Sequence, residues 1–425
     1  PRASTLRDFV GDGLSLRPLT YEPSATARES AKLIILALIA LTAAERSRAG
    51  GRFRHVAIMV AIAGLASAAI AMVHRALGAE RMLGVLPSLR APHTLITTFV
   101  NPNHAAGFMV LTAMTSLGLA LNAKRRNPRV AWFSAAGFLA VMSVLGISRG
   151  GLGALAVAMA LMFAALLRQR RTESGKERAF AIPTALVIGV AIAAATAVIL
   201  RLDEVARDFT GRAADPLSLA GKLAAMRDAW PMVLDHPWFG IGRGAYISAY
   251  AAYKTYPQQF TFSHPENIVI EALSDWGLLV GALAIGGYFA ALGLRYWSAR
   301  SIVAAAALAG LAAVTAQNFV DFSLELLGVS IPAAAILGGS GLSVVRTLKL
   351  KRNLGPVVLA VILPLIGLVF AAFRLGDLAD DEAVILSMVR DPRGPLRLNG
   401  RVGREDHGRQ LDALRPQVQP QDRLA

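Results

Sequence analysis

The pentapeptide SHPEN, residues 263–267, places a hydroxyl, an imidazole, a carboxylate and an amide directly before a long apolar run. Histidine titrates near neutral pH, so His264 beside Glu266 is a candidate general base. A structural alternative is a helix-capping box, with Ser263 as the N-cap and Glu266 three residues later. That alternative leaves His264 and Asn267 unexplained, so both are candidate site residues.

A second polar group, NPNH, precedes the apolar run that begins near residue 104. Asn101, Asn103 and His104 are typical of helix capping, because an asparagine side chain satisfies the free amides of a helix N-terminus. The same N-terminus favours anions. We therefore keep these three residues as candidate substrate-binding groups.

Four cations are candidates to hold a phosphate. Arg149 stands in the stretch GISRGGLGAL, between two apolar runs that are joined almost without a loop. Lys222, Arg227 and Arg243 lie in the polar segment before SHPEN. Arginine binds phosphate through two parallel hydrogen bonds and stays charged. The structural alternative for Arg149 is an interfacial side chain that only extends toward water.

Metal and nucleotide chemistry is not indicated by the sequence. The 425 residues include no cysteine, and the seven histidines are scattered without the spacing of paired ligands. No P-loop or dinucleotide motif follows a predicted strand, and the glycine-rich GIGRGAY at 240–246 indicates a turn. We expect neither a metal nor a cofactor.

The elements that must position these residues are membrane spans. The chain is 55% hydrophobic and 17% charged, with a mean hydropathy of +0.50, whereas soluble domains carry about 25% charged residues. A span needs about 20 apolar residues, and by that rule we predict an all-α transmembrane helix bundle of about ten spans. They lie at 30–45, 54–77, 104–121, 130–147, 150–167, 179–200, 267–294, 301–317, 327–345 and 355–373.

The net charge of +16 is concentrated in every second linker. The positive-inside rule places those linkers in the cytoplasm. The predicted organisation is an outer N-terminal segment, about six spans, a large outer loop, about four spans and a polar outer tail. Their ranges are 1–29, 30–200, 201–266, 267–373 and 374–425.

The outer loop contains a segment with helical periodicity. Leu219, Leu223, Met226, Trp230 and Val233/Leu234 recur at helical spacing. The pattern predicts an amphipathic helix that lies on the membrane surface or across the protein's own outer face.

In this order, the motifs resemble those of the O-antigen ligase/polymerase family of bacterial inner-membrane proteins. The resemblance covers about residues 15 to 345. The stretches that carry it are TFVNPNHAAG at 98–107, SRG at 148–150, GK and RD within 221–228, HPWFGIGRG at 236–244, and HPEN followed by DWG within 264–277. The sequence departs from the family pattern at four positions. Lys222 and Met226 stand where Arg and Trp are usual, Glu266 replaces a His, and Asp275 replaces a Glu.

The resemblance implies a transferase that moves a glycan from undecaprenyl diphosphate to an acceptor hydroxyl at the periplasmic face. The acceptor is a lipid A–core, a growing glycan chain or, in some branches, a protein, so ligase and polymerase stay undistinguished. The process would be lipopolysaccharide or surface polysaccharide biosynthesis, with membrane lipids as partners and no nucleic acid. Family members have about twelve spans, which predicts further spans before Pro1.

The resemblance also implies roles for single residues. Arg149 and Arg227, with Lys222 and Arg243 in support, would neutralise the diphosphate. His264 or Glu266 would take the proton of the acceptor.

A transporter of a polysaccharide precursor or small solute is the competing function, and an inactive family copy is a third. Transporter sites lie near the bilayer midplane on broken helices, whereas the polar residues here gather at one predicted face. This distribution favours surface chemistry on a lipid-linked substrate.

Overall fold

A computed structural model describes residues 20–48, 53–79, 81–83, 86–87, 97–145, 149–172, 219–255, 262–340, 397–398 and 401–402. The chain divides into two compact units, Pro1–Arg352 and Asn353–Ala425. In the second unit the described residues form one antiparallel pair, β3 (Arg397–Leu398) with β4 (Arg401–Val402).

The described part of the first unit is mostly helical, as predicted. In chain order its helices are α1 (Pro23–Arg48), α2 (Phe53–Ala76), α3 (Pro102–Asn122), α4 (Arg126–Leu145), α5 (Arg149–Thr172), α6 (Leu219–Asp235), α7 (Tyr246–Tyr250), α8 (Ile268–Ser298), α9 (Ile302–Gln317) and α10 (Leu327–Gly339). A 3-10 turn, Ser323–Glu325, precedes α10. Two antiparallel strands of two residues each, β1 (Arg81–Met82) and β2 (Leu86–Pro87), follow α2.

Most predicted spans coincide with these helices. Among the described residues, five helices are long and apolar enough to cross a membrane: α2, α3, α4, α5 between Gly150 and Arg168, and α8. The helices α9 and α10 are apolar but shorter. The spans predicted at 179–200 and 355–373 lie outside the described residues, so the total number of spans stays a prediction.

Helix α3 is the centre of the bundle. It packs against α2, α4, α5 and α9, and 94% of its most apolar 18-residue stretch is buried. Glycines allow this close approach, as they do between helices in membranes. A Cβ on Gly64 of α2 would lie 2.3 Å from Thr112 Oγ1, and one on Gly118 would lie 2.8 Å from Ala306 Cβ.

The two ends of the bundle differ in chemistry. At one end, Arg168 of α5 donates to the carbonyls of Tyr296 and Trp297 in α8, at 3.2 and 3.1 Å. At the other end the first amide of α8, Ile268 N, donates to Asn318 O just after α9 at 2.8 Å. Which end faces the cytoplasm stays a prediction.

Helix α8 is broken at Gly277, whose φ of 79° and ψ of 173° are not helical. The loop after α6 fills the break. Ile241 N donates to Ser274 O at 2.8 Å, and Leu278 N donates to Pro237 O at 2.7 Å. Backbone groups released by the break are thus satisfied by the loop, as burial in a membrane protein requires. The predicted turn at 240–246 therefore supplies hydrogen-bond donors to the broken helix.

The predicted amphipathic helix is present as α6, but its periodic apolar residues do not all share one environment. Met226 and Val233 are buried, whereas Leu223, Trp230 and Leu234 are exposed. The buried face also holds Ala225, Ala229 and Met232. Alanines pack closely against the rest of the loop, and three of the large apolar residues lie on the opposite surface.

Candidate functional site

The site is built where α3 and α8 begin and α9 ends. Helix α8 begins at Ile268, with Asn267 as its N-cap; Asn267 Oδ1 accepts from Val269 N at 2.9 Å and from Ile270 N at 3.1 Å. The capping box on Ser263 and Glu266 is therefore wrong, because both residues precede the cap. The Asn267 side chain also donates to Phe319 O at 3.0 Å, which ties α8 to the turn after α9.

Glu266 adopts a left-handed backbone conformation, with φ 57°, which is costly for a residue with a Cβ and is concentrated at functional sites. Its buried carboxylate accepts from Lys222 of α6: Nζ lies 2.6 Å from Oε2. Lys222 also donates to Val320 O at 2.8 Å and lies 3.9 Å from Asp321 Oδ1. Burial raises the pKa of the Glu266 carboxyl, and the nearby ammonium only partly offsets that effect.

His264 forms a second charged pair, with Glu271. Its Nδ1 lies 2.8 Å from Glu271 Oε1 in the first turn of α8. Burial disfavours the imidazolium, but the Glu271 charge and hydrogen bond outweigh burial and raise the pKa of His264 to about 9. His264 is therefore a cation at neutral pH in this arrangement, and its Nδ1 donates to Glu271.

The phenyl ring of Phe322 lies between two histidines. It stacks on His264 with ring centres 4.5 Å apart and meets His104 edge-on at 4.6 Å. His104 is buried at the start of α3, with Nε2 3.0 Å from Asp321 Oδ1. Burial raises the pKa of Asp321, but the His104 hydrogen bond and the Lys222 charge outweigh it, and the net pKa is lowered.

Asn101 acts through its side chain and Asn103 through its backbone. Asn101 is the N-cap of α3 and accepts from Asn103 N at 3.0 Å, so the capping alternative is confirmed for it. Asn103 O accepts from Gln317 Nε2 at 2.9 Å, and the same nitrogen donates to Asp321 Oδ2 at 2.8 Å. Gln317 thereby connects α3 to the Asp321 carboxylate.

Arg243 belongs to a neighbouring buried network. It donates to Asp275 Oδ2 at 2.7 Å and to the Glu325 carboxylate, and its guanidinium lies 5.2 Å from the centre of the Trp276 ring. Lys32 of α1 also pairs with Glu325, at 3.3 Å. This network holds α1, the loop after α6, α8 and the turn before α10 together.

Two predicted cations remain. Arg149 is the first residue of α5, and a Cβ on its neighbour Gly150 would lie 3.2 Å from Gln317 Cγ. Arg227 of α6 has a 71% exposed side chain that pairs with Asp228 and donates to Thr255 Oγ1 at 3.1 Å. Five residues separate it from Lys222, which is about 140° around a helix, so the structure does not bring Arg227 to the buried cluster.

Every buried cation of the cluster already contacts carboxylates. Lys222 contacts Glu266 and Asp321, and Arg243 contacts Asp275 and Glu325. Buried charges need such partners because desolvation of a lone ion is costly. Across the part of the chain that the structure describes, no group of three or more histidine, aspartate or glutamate side chains is arranged to hold a metal ion.

Sequence reasoning missed several members of the site. They are Lys32, Glu271, Gln317, Asp321, Phe322 and Glu325. Two signals in the sequence could have found some of them: a lysine inside an apolar run, and acidic residues in the short linker between two spans. Charged residues are rare in and next to membrane spans, so their presence there suggests a function.

Comparison with known proteins supports the resemblance. Residues 135–285 match the sequence model of a family described as O-Antigen ligase. No curated protein matches the chain. The match runs from within α4 to just past the middle of α8 and includes Arg149, Lys222, His264 and Glu266. It confirms the resemblance to the O-antigen ligase/polymerase family and supports an O-antigen ligase-type glycan-processing function in a membrane.

Proposed function

Taking the O-antigen ligase match as the premise, we propose that the chain transfers a glycan from undecaprenyl diphosphate to an acceptor hydroxyl. The reaction takes place at the periplasmic face of a bacterial inner membrane. The observation that carries the proposal is the Lys222–Glu266 pair beside the His264–Glu271 pair, both at one end of the helices. This arrangement puts a carboxylate base and two cations within one polar cluster.

Glu266 is the general base of the proposal. A raised pKa brings a carboxylate closer to the operating pH, where a base is most effective. Glu266 takes the proton of the acceptor hydroxyl while the acceptor oxygen forms a bond to the anomeric carbon. The bond from that carbon to the phosphate oxygen breaks, and the undecaprenyl diphosphate leaves with the bonding electrons. In-line attack inverts the configuration of the sugar.

Cations stabilise the leaving diphosphate. An ammonium has three donors, and Lys222 uses two of them on Glu266 and Val320 O; the third is assigned to the diphosphate. His264 is a cation at neutral pH and serves as a donor to the same group. Arg149, at the start of α5 beside Gln317, adds a planar guanidinium that binds phosphate in a bidentate manner.

The competing transporter function gains no support from the broken helix. Broken helices of transporters offer free backbone carbonyls to ions. At Gly277 the carbonyls of Ser274 and Asp275 accept from amides of the 237–242 loop instead. The break thus serves to position Asp275 and Trp276 near Arg243.

The test is glycan transfer in proteoliposomes with a polyprenyl-diphosphate glycan and a hydroxyl acceptor. Loss of a general base lowers turnover by about 10²- to 10⁴-fold, which is the result expected for Glu266→Gln. Glu45→Gln, an exposed carboxylate at the other end of α1, is the matched control and retains activity. Full activity of Glu266→Gln would remove Glu266 from the reaction.

A further inference from the structure

The outer surface of α6 carries a stripe of large apolar residues with one cation in its middle. Leu223, Arg227, Trp230 and Leu234 follow one another at spacings of four, three and four residues, so they share one face of the helix. All four are exposed, while the opposite face packs into the protein. The helix therefore has a protein-facing side and a second apolar side.

The apolar surface continues beyond the helix. Trp238 and Phe239, in the loop that follows, are 73% and 66% exposed. The backbone of Trp238 lies against Gly277 of α8, where a Cβ would be 2.6 Å from its carbonyl carbon. The next residues of α8 include Leu279 and Leu283, which are 63% and 68% exposed.

This part of α8 has the composition of a membrane span, and only 17% of its most apolar window is buried. Its exposed leucines therefore face lipid if the helix crosses a membrane. Leu279 and Leu283 follow Gly277 in α8, and Gly277 lies against the backbone of Trp238. Trp238 and Phe239 in turn lie in the loop that follows α6. The stripe is thus continuous with the lipid-facing surface of the bundle.

We propose that the exposed stripe of α6, with Trp238 and Phe239, lies in the headgroup region of the bilayer and binds its phospholipids. Tryptophan is enriched at this depth because its ring is apolar and its N–H needs a polar partner. The Arg227 guanidinium, on a long apolar stem, keeps its contacts with Asp228 and Thr255 and also reaches anionic headgroups, while Leu223 and Leu234 contact acyl chains. The inference uses the membrane location alone and holds whether or not the chain transfers glycan.

Single-cysteine spin labelling tests the proposal, and the natural absence of cysteine makes background substitutions unnecessary. For labels at Leu223→Cys and Leu234→Cys, the collision rates with two relaxation reagents are measured in proteoliposomes that lack polyprenyl lipids. The reagents are oxygen and a water-soluble nickel chelate. The expected result is high oxygen access with low nickel access at both positions. Ala225→Cys, buried in the protein, gives low access to both reagents, and Asn127→Cys, exposed in the basic first turn of α4, gives high nickel access.

Two outcomes would overturn the proposal. Nickel access equal to that at Asn127→Cys would mean that the stripe faces water. An immobilised label with the low access of Ala225→Cys would mean that protein, including a second copy of the chain, covers the stripe.

The charge is tested separately in anionic and zwitterionic vesicles. An arginine near an anionic surface increases partitioning to that surface about fivefold. Arg227→Gln should therefore lower the ratio of oxygen access to nickel access at Leu234→Cys by that factor, in anionic vesicles only. Arg227→Lys keeps the charge and should keep the ratio. Equal ratios for the arginine and glutamine forms in anionic vesicles would remove Arg227 from lipid binding.

Discussion

The Lys222 ammonium lies 2.6 Å from the Glu266 carboxylate, and these are two of the positions at which the sequence departs from the O-antigen ligase/polymerase pattern. Lysine stands for a usual arginine and glutamate for a usual histidine. The two departures therefore fall on one contacting pair. The pair keeps a cation beside a proton acceptor, which the proposed reaction requires.

The coupling predicts non-additive stability. Lys222→Met leaves a buried carboxylate without its partner and should destabilise the protein by about 3–5 kcal/mol. The double variant Lys222→Met/Glu266→Gln removes both charges and should recover a large part of that loss, as measured by thermal unfolding in detergent. Arg125→Gln, an exposed cation, is the control and should stay within about 0.5 kcal/mol. Strict additivity of the two single variants would contradict a direct pair.

Stability should depend on pH through His264. Its pKa in the folded protein is about 9, above the value of about 6.5 in an unfolded chain. The stabilisation from the His264–Glu271 pair is therefore complete below the lower value and is lost as pH rises through the upper one. The unfolding midpoint of the natural protein should fall over this window relative to His264→Gln. A constant difference between the two proteins from pH 6 to pH 10 would refute the ion pair.

The break in α8 should not tolerate a side chain in the loop that fills it. Gly240 has φ 68°, and a Cβ there would lie 2.4 Å from Ser274 O, so Gly240→Ala must displace backbone and should lower the unfolding midpoint. Gly286 is a helical glycine of the same α8 with open space around its Cβ position. Gly286→Ala should be neutral or stabilising by up to about 1 kcal/mol. Equal effects of the two substitutions would show that the loop does not seal the break.

How far the sequence determines this structure differs between the helices and the site. Long apolar runs identify α2, α3, α4, α5 and α8 because a span must satisfy its own backbone and present apolar side chains. Asn101 was predictable as a cap because its role is local. These features depend on neighbours in the chain.

The site depends on distant pairs, which a single sequence does not reveal. Lys222 reaches Val320 and Asp321, and Lys32 reaches Glu325, across intervening helices. On α6, small alanines rather than the large apolar residues face the protein, so periodicity predicted a helix but not its inward side. Which face is buried depends on the partner surface.

The predicted sidedness can be measured with single cysteines. Ala251→Cys lies just after α7 in the predicted outer loop, and Asn127→Cys lies in the first turn of α4, next to the predicted cytoplasmic linker; both positions are exposed. A membrane-impermeant maleimide added to spheroplasts should label Ala251→Cys at once and Asn127→Cys only after permeabilisation. The reverse order would place the Lys222–Glu266 cluster inside the cell and rule out a periplasmic reaction.

Ligase and polymerase differ in the acceptor, so gene deletion should separate them. Both use a glycan on undecaprenyl diphosphate, and loss of either removes long glycan from the cell surface. If the chain is a ligase, the deletion strain retains long polymer on the lipid carrier, while the lipid A–core stays bare. If it is a polymerase, single repeat units are transferred and no long polymer forms on either molecule. Gel profiles of surface and carrier-linked glycan, complemented by the natural gene and by Glu266→Gln, distinguish these outcomes. An unchanged profile in the deletion strain would contradict both forms of the proposed function.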